Sequence, residues 1–375
     1  MKLCFIVWST GISGGTKVVF EISKLFASRG HEVLIVCLGS KRHKWFDFGK
    51  ENVKLLYLEP NIYIPFKGYV SMYGLIDNIN KTLKIPYKPD RIRYLAERIP
   101  KGYDIYVATY FPSAVSLYLP ALDGRKVYFV QDFPALVLEN EGYYGLKLFN
   151  LTLQLPFDAF ICNSQYTKEI VTRLNSKALT FVGGIGIDTQ LFKPIDHGYR
   201  KRRNKFCIMT ILYKQKIKGS EIAIRALNLL AKKLPIHAIL VGRPSFQIKM
   251  EFPFTLYENV PLRQIPKLYQ LSDSFIFTSY VESFGLPPLE AMACGCPVIT
   301  TNCRGNMDYA INYYNSIVVP PGDPNAVAES AYQVLRDNSL RRKLIEGGLK
   351  TANEWSWNKR FPALESFLVN LKYNV

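Results

Sequence analysis

Short apolar runs alternate along the chain with stretches whose apolar residues recur every three or four positions. Residues 3–8, LCFIVW, are unbroken and rich in branched and aromatic side chains, as a strand covered on both faces must be. A glycine loop follows, Gly11-Ile12-Ser13-Gly14-Gly15. Val18, Val19, Ile22, Leu25 and Phe26 then fall at helical spacing, Arg29-Gly30-His31 closes that helix, and residues 33–38 give a second strand. This is a βαβ unit, which implies a parallel sheet. Further strands are expected at 55–58, 105–109, 127–130, 159–162 and 180–182.

The alternation restarts after residue 205. Strands are expected at 206–212, 236–242, 254–257, 274–278, 297–300 and 316–319, with helices at 221–234, 265–271 and from Asp323-Pro324 through Leu335. The pattern predicts two doubly wound α/β units meeting near residues 185–205, where Gly, Pro and a charge run replace the periodic residues. No internal repeat or low-complexity tract interrupts it.

The length of 375 residues suits two ordinary domains, and 48% hydrophobic content supplies cores for both. The net charge of +18 is concentrated: residues 1–100 carry 16 Lys/Arg against 8 Asp/Glu, and residues 200–250 carry 13 against 1. Such clustering points to an anionic partner: a nucleotide diphosphate, a lipid phosphate, an anionic membrane face or a nucleic acid. The seven cysteines sit mostly in apolar runs, as small buried hydrophobes do, and a reducing compartment fits them. Cys294-Gly295-Cys296 and Cys303 lack the spacing of a zinc site, and Gly295 reads better as a helix stop. No secretory core is visible at the start. The long uncharged stretch 106–122 holds Pro112 and Pro120 and makes a poor membrane span.

The densest chemistry lies in residues 281–300, VESFGLPPLEAMACGCPVIT. Glu282 and Glu290 stand eight positions apart, with Ser283-Phe284-Gly285 and Pro287-Pro288 between them. Proline in a first turn and Gly295 at the end define a helix from about Pro287. The strand before it makes the unit strand, loop, helix, so free backbone N–H groups face whatever lies beyond the strand end. An anion site flanked by two hydroxyl-binding carboxylates suits a nucleotide sugar. The bland alternative is an ordinary helix N-terminus with two solvated acids.

This segment closely resembles the E-x7-E motif of the retaining glycosyltransferases of the GT-B fold, group 1 family. The resemblance is good from Lys218-Gly219 to Trp357 and weaker over residues 1–40. It implies two Rossmann-like domains facing across a cleft: an acceptor-side domain, 1–188, and a nucleotide-sugar-binding domain, 189–357. It also implies a last helix, about 358–375, crossing back onto the first. It implies that Glu282 meets the transferred sugar, that the Ser283, Phe284, Gly285 and Leu286 segment approaches sugar and phosphate, and that Glu290 binds ribose. Lys218 matches a lysine that neutralises the leaving diphosphate. The arginine expected earlier in that loop is replaced by Leu212-Tyr213-Lys214, with Lys214 or Lys216 as substitute point charges. Gly14 and Gly15 resemble the loop beside donor phosphate and acceptor, against the alternative of a tight turn only. Gln131-Asp132 stands where many members have His then Asp. Asp132 then orients or deprotonates the acceptor hydroxyl, or simply caps a helix. Gly183–Asp188 resembles the family's linker, and Arg304-Gly305-Asn306-Met307-Asp308 its G-x-x-E loop with Asp for Glu, a helix cap being the alternative.

The resemblance implies a retaining, metal-independent hexosyltransferase that moves a sugar from a nucleotide-diphosphate sugar to a glycan or lipid-linked acceptor. There is no Asp-x-Asp or clustered His, so lysines and helix N-termini are expected to serve the diphosphate, with no metal and no cofactor. Alternatives are a nucleotide-sugar epimerase of the same fold, a basic nucleic-acid-binding protein, and an NAD(P) dehydrogenase. The last lacks its glycine fingerprint and the nucleic-acid reading lacks any RNA-binding signature. Residues 57–95 mix Tyr57, Tyr63, Ile64, Phe66, Tyr69, Tyr73, Tyr87 and Tyr94 with Lys67, Lys81, Lys84, Lys88, Arg91 and Arg93. That mixture suits a headgroup boundary, so a cytoplasmic protein docking peripherally on anionic membranes is expected. A solvated insertion whose tyrosines cover the core is the alternative.

Overall fold

The computed structural model describes residues 1–11, 13–39, 45–58, 61–64, 68–71, 89–194 and 204–373. Ile12, residues 195–203 of the linker, and Phe66, Lys67, Tyr73, Lys81, Lys84, Tyr87 and Lys88 of the aromatic-basic segment lie outside them. The chain divides into two compact units: Met1–Gly184 with Phe361–Val375, and Ile185–Arg360.

The first unit is built on strands β1 (Lys2–Val7), β2 (Glu32–Cys37), β3 (Val53–Tyr57), β6 (Ile105–Ala108), β7 (Arg125–Val130), β8 (Ala159–Cys162) and β9 (Thr180–Val182), with a separate antiparallel hairpin of β4 (Asn61–Ile64) and β5 (Gly68–Ser71). The seven-stranded sheet runs in the order β3-β2-β1-β6-β7-β8-β9, all parallel. Leu3 to Val7 are all buried, which is why the opening run shows no polar alternation. The helix Gly14–Ser28 is capped by Ser13, whose Oγ accepts from Thr16 N at 3.1 Å. Its Phe26 packs edge-on against Phe361 at 4.8 Å. Phe361 belongs to the last helix, Trp357–Tyr373, which starts in the second unit and continues as part of the first. Phe367 stacks on Phe181 at 4.6 Å, Glu365 meets His31 at 2.8 Å, and Lys372 pairs with Asp104 at 3.1 Å.

The second unit holds β10 (Phe206–Leu212), β11 (Ile236–Gly242), β12 (Phe254–Tyr257), β13 (Ser274–Phe277), β14 (Val298–Thr301) and β15 (Ile317–Val319), also wholly parallel, in the order β12-β11-β10-β13-β14-β15. Its core joins Ile208 and Leu212 of β10 with Ala223, Leu227 and Leu230 of the following helix and Val327, Ala331 and Val334 of the Pro324–Arg336 helix.

In both sheets the strand order reverses once, between β1 and β6 and between β10 and β13. Loops leaving the carboxyl ends of two such strands diverge to opposite sides and leave a crevice, the usual ligand position in open parallel sheets. Among the described residues, no helix is long and apolar enough to cross a membrane.

Candidate functional site

The reversal in the second sheet brings together the loop after β10, residues 213–219, and the loop after β13, residues 278–285. Gly219 makes their contact possible. Its φ is +64°, and a Cβ there would lie 2.1 Å from Thr278 O. Thr278 Oγ1 donates to Gly219 O at 2.8 Å and Tyr280 N to Ile217 O at 2.8 Å, so the two loops are tied at two points. Lys216–Lys218 form a short 3-10 turn, after which the helix Ser220–Ala231 begins.

Across this junction Lys218 Nζ reaches Glu282 Oε2 at 2.6 Å, and Ser279 Oγ donates to Glu282 Oε1 at 2.7 Å. Both carboxylate oxygens thus have a donor. Glu282 is 7% exposed and Glu290 8% exposed, which sets aside the picture of two solvated acids. For Glu282 such burial is tolerated because the charge is paired and hydrogen-bonded. Glu290 lies on the helix Leu286–Ala293 and accepts from Tyr269 Oη at 3.4 Å. That helix begins one residue before Pro287, because Gly285 at φ +82° supplies the turn into it. It ends where Gly295, at φ +69°, follows Cys294.

A third loop, after β14, closes the rim. Glu282 N donates to Cys303 O at 2.8 Å and Gly305 N to Glu282 O at 3.1 Å, so residues 303–305 run beside Glu282 like a short parallel strand. Asn306 clamps the loop: its Oδ1 accepts from Cys303 N, and its Nδ2 donates to Thr300 Oγ1 and Thr301 O. Tyr309 Oη donates to Gly285 O. Below the turn, Phe284 packs on Tyr309 at 5.1 Å and on Trp355 at 5.0 Å, and the Arg360 guanidinium lies 4.1 Å over the Trp355 ring.

Lys214 and Lys216 are exposed on the same loop as Lys218. Tyr213, in the position where an arginine was expected, has its hydroxyl pushed well above the ordinary tyrosine range, first by burial and then by the Glu282 and Glu290 carboxylates. Its ring lies 5.7 Å from Lys218 Nζ. Glu282, Ser283, Phe284, Gly285, Leu286, Glu290 and the three lysines therefore all belong to the two tied loops and the short helix at the strand-order reversal of the second sheet. Sequence reasoning missed Ser279, Tyr269 and Tyr309, which help hold them there, while Asn306 lies in the loop that it likened to the family's G-x-x-E segment.

The remaining candidates, Gly14, Gly15 and Asp132, lie on the first unit. Gly14 has open space where a Cβ would stand, whereas a Cβ on Gly15 would come 3.2 Å from Gln131 Oε1. The glycine loop after β1 and the Gln131-Asp132 turn after β7 thus meet. Gln131 Nε2 donates to Thr109 O at 3.3 Å. Tyr110, another residue missed, donates from Oη to Glu141 Oε1 at 3.2 Å. Burial and then Asp132 hold that hydroxyl protonated far above its usual range.

All seven cysteines are free and buried. Burial pushes the Cys37 and Cys162 thiols up to about 12, so neither is a ready nucleophile at neutral pH. Among the described residues no group of three or more His, Cys, Asp and Glu is placed to hold a metal ion.

Two parallel-sheet units, each with loops gathered at a strand-order reversal, define the GT-B class. The structure superposes on sucrose-phosphate synthase of Thermosynechococcus elongatus with a TM-score of 0.78 at 16% identity, covering 99% of each chain. Residues 193–351 match the model of the family Glycosyl transferases group 1. Over 98 residues the chain is 36% identical to O-antigen chain mannosyltransferase B of Escherichia coli, 26% of this chain and 25% of that protein. Over 240 residues it is 24% identical to an uncharacterized glycosyltransferase of Methanocaldococcus jannaschii, 60% and 62% of the two chains. The chain spans 25% and 62% of the lengths of these two curated relatives.

Proposed function

We propose that this protein transfers a hexosyl group from a nucleotide-diphosphate sugar to a glycan or lipid-linked acceptor, with retention at the anomeric carbon and without a metal ion. The observation that carries this is the Lys218–Glu282 pair at 2.6 Å, with Glu290 buried eight positions on and a helix N-terminus between. Glu282 positions the sugar, Glu290 holds the ribose, and Lys218 with Lys214 and Lys216 offsets the charge that develops on the departing diphosphate. Backbone N–H groups at Ser283 to Leu286 add to that stabilisation. Asp132 orients the acceptor hydroxyl or takes its proton, and Gly14 and Gly15 leave room for it.

A glycan acceptor is supported by the name of the E. coli relative. A panel of nucleoside diphosphates and nucleotide sugars, scored by thermal shift, tests the reading, because a ligand that binds only the native state raises the Tm. No shift with any member of the panel would overturn it.

A further inference from the structure

We propose that Arg304 is an anion-binding residue of the Glu282 site and grips the terminal phosphate of the nucleoside diphosphate; this rests on the donor reading above. Three non-glycine residues among those described have positive φ, and Arg304 is one of them, at φ 71° and ψ −82°. Gly305 N donates to Cys303 O at 3.0 Å across it, which makes Arg304 the apex of a γ-turn of the rare, strained kind. The fold requires the turn: a Cβ on Gly305 would stand 2.1 Å from Ser283 O, so the chain must bend sharply to lie along the Glu282 loop. It does not require an arginine there. Glycine adopts this conformation without steric cost.

The backbone of the strained residue runs beside that of Glu282. The bonds from Glu282 N to Cys303 O and from Gly305 N to Glu282 O flank Arg304 and fix its backbone in register with Glu282. The Arg304 side chain is exposed, and it makes no ion pair or hydrogen bond with the described residues. Lys218, by contrast, is engaged by Glu282. A diphosphate brings at least two negative charges to a rim that already holds two carboxylates. A guanidinium offers two parallel N–H donors that match a phosphate edge. Because Glu282 marks the sugar end of the site and Glu290 the ribose end, a cation paired in register with Glu282 serves the phosphate next to the sugar.

The test uses the full chain and whichever of UDP, ADP, GDP, CDP and dTDP binds it most tightly, together with the matching monophosphate. Both are titrated calorimetrically into the unmodified protein, Arg304→Gly and Arg304→Lys, and the Tm of each is measured. Arg304→Gly is expected to lose about tenfold or more in diphosphate affinity. Its monophosphate affinity is expected to stay within about twofold and its Tm to equal or exceed that of the unmodified chain. Arg304→Lys recovers part of the loss as a point charge. Unchanged diphosphate affinity in Arg304→Gly, or an equal loss for both nucleotides, overturns the assignment while leaving the donor reading intact. Failure of the unmodified chain to bind any of the five diphosphates overturns the donor reading itself.

Discussion

At the residue scale the Lys218–Glu282 pair separates structure from chemistry. Both side chains are largely buried, at 14% and 9% exposure. Removing one partner of such a pair leaves an uncompensated charge, which typically costs about 3–5 kcal/mol. Lys218→Ala is therefore expected to lower both turnover and stability, by about 3 kcal/mol in denaturant titration, since Ser279 alone then serves the Glu282 carboxylate. Glu282→Gln keeps an acceptor for Ser279 and the side-chain volume. It should lower turnover at least about a hundredfold while nucleoside-diphosphate affinity moves little. Glu290→Ala should do the reverse. Its nucleotide affinity is expected to fall by about 1.5–3 kcal/mol, the worth of a hydrogen bond to a charged group. Calorimetry showing equal affinity for Glu290→Ala and the unmodified chain would remove the ribose role.

At the scale of elements, the crevice depends on how closely two loops approach. Gly219→Ala adds a methyl group at φ +64° and 2.1 Å from Thr278 O, so the loops after β10 and β13 must part. The expected cost is about 2 kcal/mol or more, seen as a lowered urea midpoint, with turnover falling further than nucleotide affinity. The parallel strands were legible in the sequence because burial on both faces leaves unbroken apolar runs, as in Phe206–Leu212. The helix Pro134–Thr152 was not read. It is kinked at Gly142, φ 68°, and exposes Leu138, Tyr143 and Tyr144, so its apolar residues mark no single face. The β4–β5 hairpin is not legible either, since Tyr63 and Tyr69 fit an aromatic-basic surface as well as they fit two four-residue strands. Glu282 and Glu290 were legible because their loop and helix are local. Tyr269, which bonds Glu290 from a helix 21 positions earlier, was not, because sheet order and not spacing brings them together.

For the whole molecule, the proposed chemistry rests on fixed cations, so EDTA is expected to leave the transfer rate unchanged. Complete inactivation by EDTA, reversed by magnesium or manganese, would refute the metal-free mechanism. The proposed docking on anionic membranes is checked by liposome flotation. The protein should float with anionic vesicles at low salt and sink as salt rises, because exposed charges are screened within about 10 Å at 0.1 M. Absence from the floating fraction at low salt would leave an acceptor free in solution.

The packing of Trp355 beneath Phe284 has an optical consequence. The indole is half-buried, 5.0 Å from the ring that follows Ser283 and 4.1 Å from the Arg360 guanidinium. A ligand that settles on the Ser283–Gly285 turn presses on Phe284 and alters the surroundings of Trp355. The chain thereby carries its own chromophore one side chain away from the proposed donor. Tryptophan emission should shift on nucleotide addition, and Trp355→Phe should silence that signal while nucleotide affinity, read by calorimetry, persists.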